Sequence, residues 1–496
     1  MTDRRDLQLL LQSGVPIVVI ETADEGRFLE LLTEMTVASP AASYRPLFRW
    51  SVTDGLQRLD LDLEPQRHNA EAADVLRHIR AVKTPAIYAL LDFHPFLDAP
   101  VNIRLLKDIA LAGRESGTIV LLISHAVRLP RELESFSARF QMQLPDLKAR
   151  TAIIERLIDD YRRDKPNEKV QVDDKAFALL VQNLGGLSYA DTERLARNAI
   201  YEDGAITADD VPAVMQAKYR LLDHGSVLSY EYDTALFDDI AGFANVKLWL
   251  KQRALAFSGQ RPAGLDAPKG ILLLGVQGCG KSLAAKAAAS AFGVPLLRLD
   301  FGTLYNKYHG ETERNLRESL KTAELMAPCV LWMDEIEKGL ASGGEGDGGT
   351  SRRVLGSLLT WMAERKSNVL LVATANDIEA LPPALVRKGR FDEVFFVDLP
   401  TPAHRADILA IHLRKRGINP KKQDLTPLIA ASEGFSGAEI EQAVVAALYA
   451  AHAVGQTPEP AHVLVELRKT RPLAVLMREH IAELRSWATG RTVPAD

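Results

Sequence analysis

The sequence predicts an α/β fold in two related halves, each with a mainly parallel sheet covered by helices. Three observations lead to it. Short β-branched runs alternate with helical stretches through most of the chain, the pattern of strand–helix–strand crossovers. The runs are apolar at consecutive positions rather than alternate ones, as strands buried on both faces require. Motifs of the first half also recur, in the same order, in the second.

The strand candidates of the first half are Ile17–Ile20, Ile87–Leu91 and Ile119–Ile123. Those of the second are Ile271–Leu274, Val330–Met333, Val369–Ala373 and Val394–Val397. The repeat is clearest where Gly186-Leu187-Ser188-Tyr189-Ala190-Asp191 echoes Gly434-Phe435-Ser436-Gly437-Ala438-Glu439, each before a helix. Upstream, Val120 to Ser124, Leu129-Pro130 and Leu144-Pro145 echo Val369 to Thr374, Leu381-Pro382 and Leu399-Pro400. A repeat this long is a duplicated domain, since solenoid periods run to about 20–50 residues. A linker is expected over residues 223–236, and the glycine-rich stretch Gly343 to Gly349 reads as a mobile surface loop.

A chain of 496 residues is too long for one ordinary core. Hydrophobic residues at 47% and charged residues at 25% have the balance of a soluble globular protein. Lys and Arg total 60 against 65 Asp and Glu, a formal charge of −5, which gives no general footprint for wrapping nucleic acid. Two cysteines, Cys279 and Cys329, exclude a disulfide framework and fit a reducing compartment. No apolar run approaches the ~20 residues that span a bilayer, and no signal-peptide core precedes Gly14. A cytoplasmic location without a membrane segment is the expectation.

The chemistry concentrates in the second half. Gly275-Val276-Gln277-Gly278-Cys279-Gly280-Lys281-Ser282 follows a strand candidate and opens an alanine-rich helix at Leu283. Glycines let backbone amides fold around phosphates, and the helix N-terminus adds partial positive charge. Lys281 can then reach the β- and γ-phosphates, and the Ser282 hydroxyl can ligate Mg²⁺. The apolar run Val330–Met333 ends in Asp334, placed to hold the metal, and Glu335, placed to polarise water. A third strand candidate leads to Asn376, whose amide can orient water without competing as a base. Arg387 and Arg390 stand around Gly389, and their guanidinium forks suit phosphate oxygens.

Together these motifs resemble the AAA ATPase family. Phe237-Asp238-Asp239-Ile240-Ala241-Gly242, Pro268-Lys269-Gly270, the phosphate loop, Asp334-Glu335, Asn376, Arg387 to Asp392 and Gly434 to Ala438 follow its order and spacing over residues 235–450. The stretch Ala380 to Leu385 and Phe395 to Val397 resembles a divergent subgroup, found as reading frames of chloroplasts, cyanobacteria and other bacteria. The resemblance implies tandem P-loop-type AAA modules, each a parallel sheet flanked by helices plus a small helical lid, the first degenerate. Expected boundaries are 1–147 for the first α/β domain, 148–222 for its lid, 237–400 for the ATPase domain and 401–496 for its lid and C-terminal helices.

Residue by residue, it implies that Asp239, Ile240 and Gly242 border the adenine, with Ala241 standing where glycine is usual. His412, in Arg405-x6-His412, matches the histidine near ribose and base, and Gly437 and Ala438 match lid positions at the nucleotide. Arg387 and Arg390 would act in trans, implying a homo-oligomeric ring, usually of six subunits. Tyr308, His309 and Gly310 align with the central pore loop, where Tyr308 would grip a polypeptide. Val276-Gln277 replaces Pro-Pro and Cys279 replaces Thr, and Cys279 is expected to make the site sensitive to oxidation.

The first half lacks this chemistry. Glu21-Thr22-Ala23-Asp24-Glu25 follows its first strand candidate with no glycine cradle and no lysine, and Phe93 follows Asp92 where Glu335 follows Asp334. A module that has lost ATP binding and serves docking or ring assembly is implied. The expected function is Mg²⁺-dependent ATP hydrolysis that remodels protein partners. The alternative is a nucleotide-switched scaffold that threads nothing, and a nucleic-acid-remodelling role is disfavoured by the acidic balance.

Overall fold

The apolar runs become strands in the computed structural model, which describes residues 2–22, 24–38, 40, 44–61, 69–166, 170–222, 227–232, 235–257, 264–306, 312–340, 350–387, 389–420 and 423–496. Its contacts divide the chain into two units, Met1–Pro145 with Ser188–Thr192, and Asp146–Leu187 with Glu193–Asp496.

In the first unit the strands are β1 (Ile17–Glu21), β2 (Leu47–Ser51), β3 (Gly55–Arg58), β4 (Ile87–Leu91), β5 (Ile119–Ser124) and β6 (Ser137–Phe140). They form one sheet in the order β3-β2-β4-β5-β1-β6. The pairings are parallel except for β3 on β2. Because side chains alternate across a strand, each run feeds two cores. Ile17, Val19, Tyr88, Leu90, Val120 and Leu122 pack on one face. Val18, Ile20, Ile87, Ala89, Leu121 and Ile123 pack on the other. Continuous hydrophobicity in the sequence is thus two-sided burial in space.

The second unit carries β7 (Gln171–Val172), β8 (Ala205–Ile206), β9 (Leu228–Glu231), β10 (Gly270–Gly275), β11 (Leu296–Leu299), β12 (Cys329–Met333), β13 (Val369–Ala375), β14 (Glu393–Val397) and β15 (Val493–Pro494). Its main sheet runs β15-β14-β10-β13-β12-β11-β9, with β9 alone antiparallel. The pairing β6-β1-β5-β4-β2 of the first unit reappears as β14-β10-β13-β12-β11 in the second. The duplication read from sequence fragments is therefore a shared strand order, and the fold is that of tandem AAA-type modules.

All seven expected strands form. Within the stretch expected as a linker, residues Leu228–Glu231 form β9, hydrogen-bonded to β11. The contacts also divide the chain differently from the expected lid of the first module. Helices Leu147–Asp164, Asp174–Asn183 and Asp210–Leu222 belong to the second unit. Val211, Met215 and Tyr219 share an apolar cluster with Leu316, Leu320, Ala323 and Met326. Buried Lys218 donates to the carbonyls of Asn183, at 2.9 Å, and Gly185, and Tyr219 donates to the Leu228 carbonyl at 2.6 Å. Gly186, at φ +82°, approaches the Leu325 carbonyl so closely that a Cβ would lie 2.2 Å from it.

At the end of the chain, helices Pro402–Lys415, Thr426–Ala431, Gly437–Ala453 and Pro460–Lys469 bury Leu409, Leu413, Leu428, Phe435, Ile440 and Val444 among themselves. Ser436 and Glu439 close a reciprocal capping box at the start of the third of these helices. Among the described residues no helix is long and apolar enough to cross a membrane. The glycine-rich stretch Gly343 to Gly349 lies outside the described residues.

Candidate nucleotide site

The loop between β10 and helix Lys281–Phe292 has the backbone its glycines permit. Gly275 sits at φ +149°, and a Cβ there would fall 2.0 Å from the Val397 carbonyl oxygen. Gly278 and Gly280 adopt φ +75° and +92°, which side-chain-bearing residues rarely hold. The loop thus delivers the chain into a helix whose first N–H groups have no intrahelical acceptor. Lys281, nearly buried at the first helical position, donates to the carbonyls of Gly275 and Val276, both at 2.8 Å. Burial lowers its pKa to about 8. An ammonium held by two carbonyls and short of solvent is prepared to exchange them for phosphate oxygens.

Beside the loop, one hydroxyl at the end of β13 joins the Asp334 carboxylate to the backbone of Glu335. Thr374 Oγ1 donates to Asp334 Oδ1 at 2.6 Å and accepts from the Glu335 N–H at 3.0 Å. Ser282 Oγ donates to the same Asp334 oxygen at 3.1 Å. Glu335 occupies left-handed backbone space at φ +48°, a strained position for a residue with a Cβ. Its carboxylate accepts from Asn376 Nδ2 at 2.8 Å and pairs with Lys338. The Asn376 N–H in turn donates to Glu337 Oε1 at 2.9 Å. Burial raises the Glu337 pKa, partly opposed by that hydrogen bond.

The lid closes the other side. The Ala438 N–H donates to the Gly278 carbonyl at 3.0 Å, a direct backbone tie from lid to loop. His412 Nδ1 lies 3.4 Å from Glu441 Oε1, and burial lowers the histidine pKa despite that carboxylate. Between loop, lid and carboxylates lies a cavity of about 350 Å³. Of the expected residues, Asp239, Ile240, Ala241, Gln277, Gly278, Cys279, Gly280, Lys281, Ser282, Leu283, Asp334, Glu335, Asn376, His412, Gly437 and Ala438 line it. Gly242, Gly275 and Val276 adjoin those residues in sequence without lining it.

Phe243, Thr374, Ile408, Ile411 and Glu441 also line the cavity and were not expected. Ile408 precedes His412, and Glu441 follows Gly437, by one helical turn, which is the sequence signal for both. Arg387 and Arg390 are not among the lining residues: Arg387 is exposed, and Arg390 donates to the Leu359 carbonyl at 2.6 Å. Tyr308, His309 and Gly310 lie outside the described residues. Cys279 is half-buried, and desolvation pushes its thiol up to about 12, which disfavours the thiolate that oxidants attack.

In the first unit, Ser124 Oγ donates to Asp92 Oδ1 at 2.9 Å across β5 and β4, as Thr374 does to Asp334 across β13 and β12. Between β1 and helix Glu25–Val37 run only residues 22–24, against 276–280 between β10 and its helix. Glu25 opens that helix where Lys281 opens the other, and burial, then the Asp92 charge, raise its carboxyl pKa. A shortened loop with a carboxylate at its end does not suit phosphate.

The model of the ATPase family associated with various cellular activities (AAA) matches residues 271–399. Those of the SpoVK-like AAA ATPase N-terminal and second domains match residues 3–142 and 148–225. The chain is 34% identical to the AAA domain-containing protein ycf46 of Pyropia yezoensis over 98% of each chain. It is 30% identical to the proteasome-activating nucleotidase of Aeropyrum pernix over 70% of this chain and 82% of that one. To the cell division cycle protein 48 homolog of Archaeoglobus fulgidus it is 36% identical over 42% and 30%. With its phosphate loop, paired carboxylates and near full-length relatives, the chain belongs to the AAA ATPase family, as an ATP hydrolase with SpoVK-like domains ahead of its ATPase domain.

Proposed function

We propose that the chain assembles as a ring, of six subunits, in which Mg²⁺-dependent ATP hydrolysis remodels protein partners. One observation carries the ring: the cavity gathers the loop, the carboxylates, Asn376 and the lid from a single chain, while Arg387 and Arg390 stand outside it. A neighbouring subunit then supplies the missing cations. The relatives named a proteasome-activating nucleotidase and a cell division cycle protein support work on proteins rather than on small molecules.

The residues present fit the nucleotide and its metal, because the glycine cradle excludes side chains and Lys281 is a buried cation without a carboxylate partner among its hydrogen bonds. In this reading Lys281 and the loop N–H groups hold the β- and γ-phosphates, while Ser282 and Asp334 hold Mg²⁺. When bound, the metal neutralises charge on the phosphate oxygens. Thr374 keeps Asp334 and Glu335 in register, Glu335 takes the proton of the attacking water, and Asn376 orients that carboxylate. Asp239, Ile240, Ala241 and His412 receive the base and ribose, and Gly437 and Ala438 carry the lid onto the phosphate loop. Residues 237–400 act as the ATPase module, 401–496 as its lid, and 1–147 in docking or ring assembly. Two free cysteines suit a reducing compartment such as the cytoplasm.

The test is Glu335→Gln with ATP and Mg²⁺. Calorimetry should show nucleotide bound about as tightly as by the wild type, sedimentation should show the ring, and turnover should fall by ~10²–10⁴. Wild-type turnover would remove Glu335 from its role, and a chain that stays monomeric with ATP would remove the ring.

A further inference from the structure

The first unit has no phosphate cradle, yet the carboxyl ends of its central strands gather another kind of chemistry. Asp92 follows β4, His94 opens the short turn His94–Asp98, Ser124 ends β5, and His125 comes next. Ser124 Oγ lies 2.9 Å from Asp92 Oδ1, 2.8 Å from His94 Nδ1 and 3.3 Å from His125 Nδ1. The two imidazole rings stand perpendicular with centroids 4.9 Å apart. A ligand atom from each of Asp92, His94 and His125 falls within 4.8 Å of the other two.

We infer that Asp92, His94 and His125 form a site for a borderline first-row divalent cation, Zn²⁺ foremost. Donor chemistry selects the class. Two imidazoles and one carboxylate suit Zn²⁺ and its neighbours and leave positions open, whereas Mg²⁺ demands oxygen ligands in near-octahedral array. Bond lengths of about 2.0–2.2 Å put tetrahedral ligand atoms about 3.3 Å apart, so the three groups need close by at most ~1.5 Å. Asp92 and His125 are exposed and His94 is half-buried, so rotamer changes can supply that movement.

Placement is the second argument. Ligands of open parallel sheets bind beyond the carboxyl ends of the strands, which is where this cluster lies. Asp92 also stands to Ser124 as Asp334 stands to Thr374, on matching pairs of neighbouring strands. The duplicated carboxylate therefore keeps its position while two histidines replace the nucleotide as its companions. Ser124 Oγ lies within hydrogen-bond reach of both imidazoles as well as of Asp92, so it gathers all three groups around one point. Such a cation would clamp the end of β4 to the end of β5, steadying a module that no nucleotide steadies.

The full-length chain, stripped of metal by a chelator that is then removed, is titrated with Zn²⁺ by calorimetry under saturating Mg²⁺. One equivalent should bind, and the His94→Ala/His125→Ala double variant should bind it ~100-fold more weakly or not at all. Zn²⁺ should raise the unfolding midpoint of the wild type but not of the variant. Co²⁺ in its place should give visible ligand-field bands only with both histidines present. The His94→Gln/His125→Gln variant, closer in size, repeats the comparison if the alanine variant does not fold. Equal Zn²⁺ affinity in wild type and variants, or no wild-type binding below millimolar Zn²⁺, would overturn the site.

Discussion

Thr374 ties the Asp334 carboxylate to the backbone of Glu335 with one hydroxyl, donating to Asp334 and accepting from the Glu335 N–H. Thr374→Val keeps the shape of the side chain and removes both bonds. Loss of a buried hydrogen-bonding partner costs ~1–3 kcal/mol, and part of that should appear as misplacement of Glu335. A fall of at least ~10-fold in kcat with ATP affinity little changed is expected, and Thr374→Ser should restore most of it. An unaltered kcat would show that the hydroxyl positions nothing. Lys281 supports a second prediction. Burial brings its pKa from the usual lysine value of 10.5 to about 8, so in the free protein the charge fades as pH rises through 8. ATP would restore the ammonium, and its own last phosphate proton leaves near pH ~6. Binding at pH 8.5 should therefore take up roughly three-quarters of a proton, and at pH 6.5 none on this lysine. Calorimetry in buffers of different ionisation enthalpy reads it directly, and no uptake at pH 8.5 would place Lys281 off the phosphates. Both residues sit in motifs, but only Lys281 was legible as chemistry. Thr374 looked like strand, and Phe243 and Ile411 reach the cavity only through tertiary approach.

Elements were legible where apolar residues run uninterrupted through a strand and lost where polar residues break the run. All seven runs expected as strands are strands, each rich in β-branched residues or leucine, whereas the equally continuous runs 176–181 and 443–451, with more alanine, are helical. β11 hides because Arg298 interrupts its four residues, and β9 hides because an edge strand carries Ser229 and Glu231 among its apolar residues. Neither has a period-2 pattern long enough to read. The helices between residues 147 and 222 were legible as helices but not in their allegiance, which depends on tertiary contacts, one of them a close backbone approach. Gly186 meets the Leu325 backbone where a Cβ would stand 2.2 Å from its carbonyl oxygen, and its φ is +82°. Gly186→Ala meets both obstacles at once and should destabilise by clearly more than the ~1 kcal/mol that such a change can gain at a compatible site. A urea denaturation followed by tryptophan fluorescence should show the lower midpoint. An unchanged midpoint would mean that this approach contributes nothing to the unit.

At the scale of the molecule, the same strand order appears in a module with the phosphate loop and in one without it, so what separates the modules is a loop and a few residues rather than a fold. The second module gathers the phosphate loop, both carboxylates and the lid, but leaves Arg387 exposed and Arg390 tied to the Leu359 carbonyl. If the site is completed between subunits, complementary defects should repair each other. Arg387→Ala alone should bind ATP and hydrolyse it ~10³-fold or more slowly, since a trans arginine is worth ~10³–10⁵. Lys281→Ala alone should fail to bind ATP, but it still offers an intact Arg387 to its neighbour. A mixed ring places that arginine beside the intact phosphate loop of an Arg387→Ala subunit, so mixtures should hydrolyse ATP well above the sum of the two separate variants. The gain should peak near equal proportions and vanish under conditions that dissociate the ring. Mixed oligomers, verified by pull-down of one tagged variant, that show no gain would mean each subunit completes its own site.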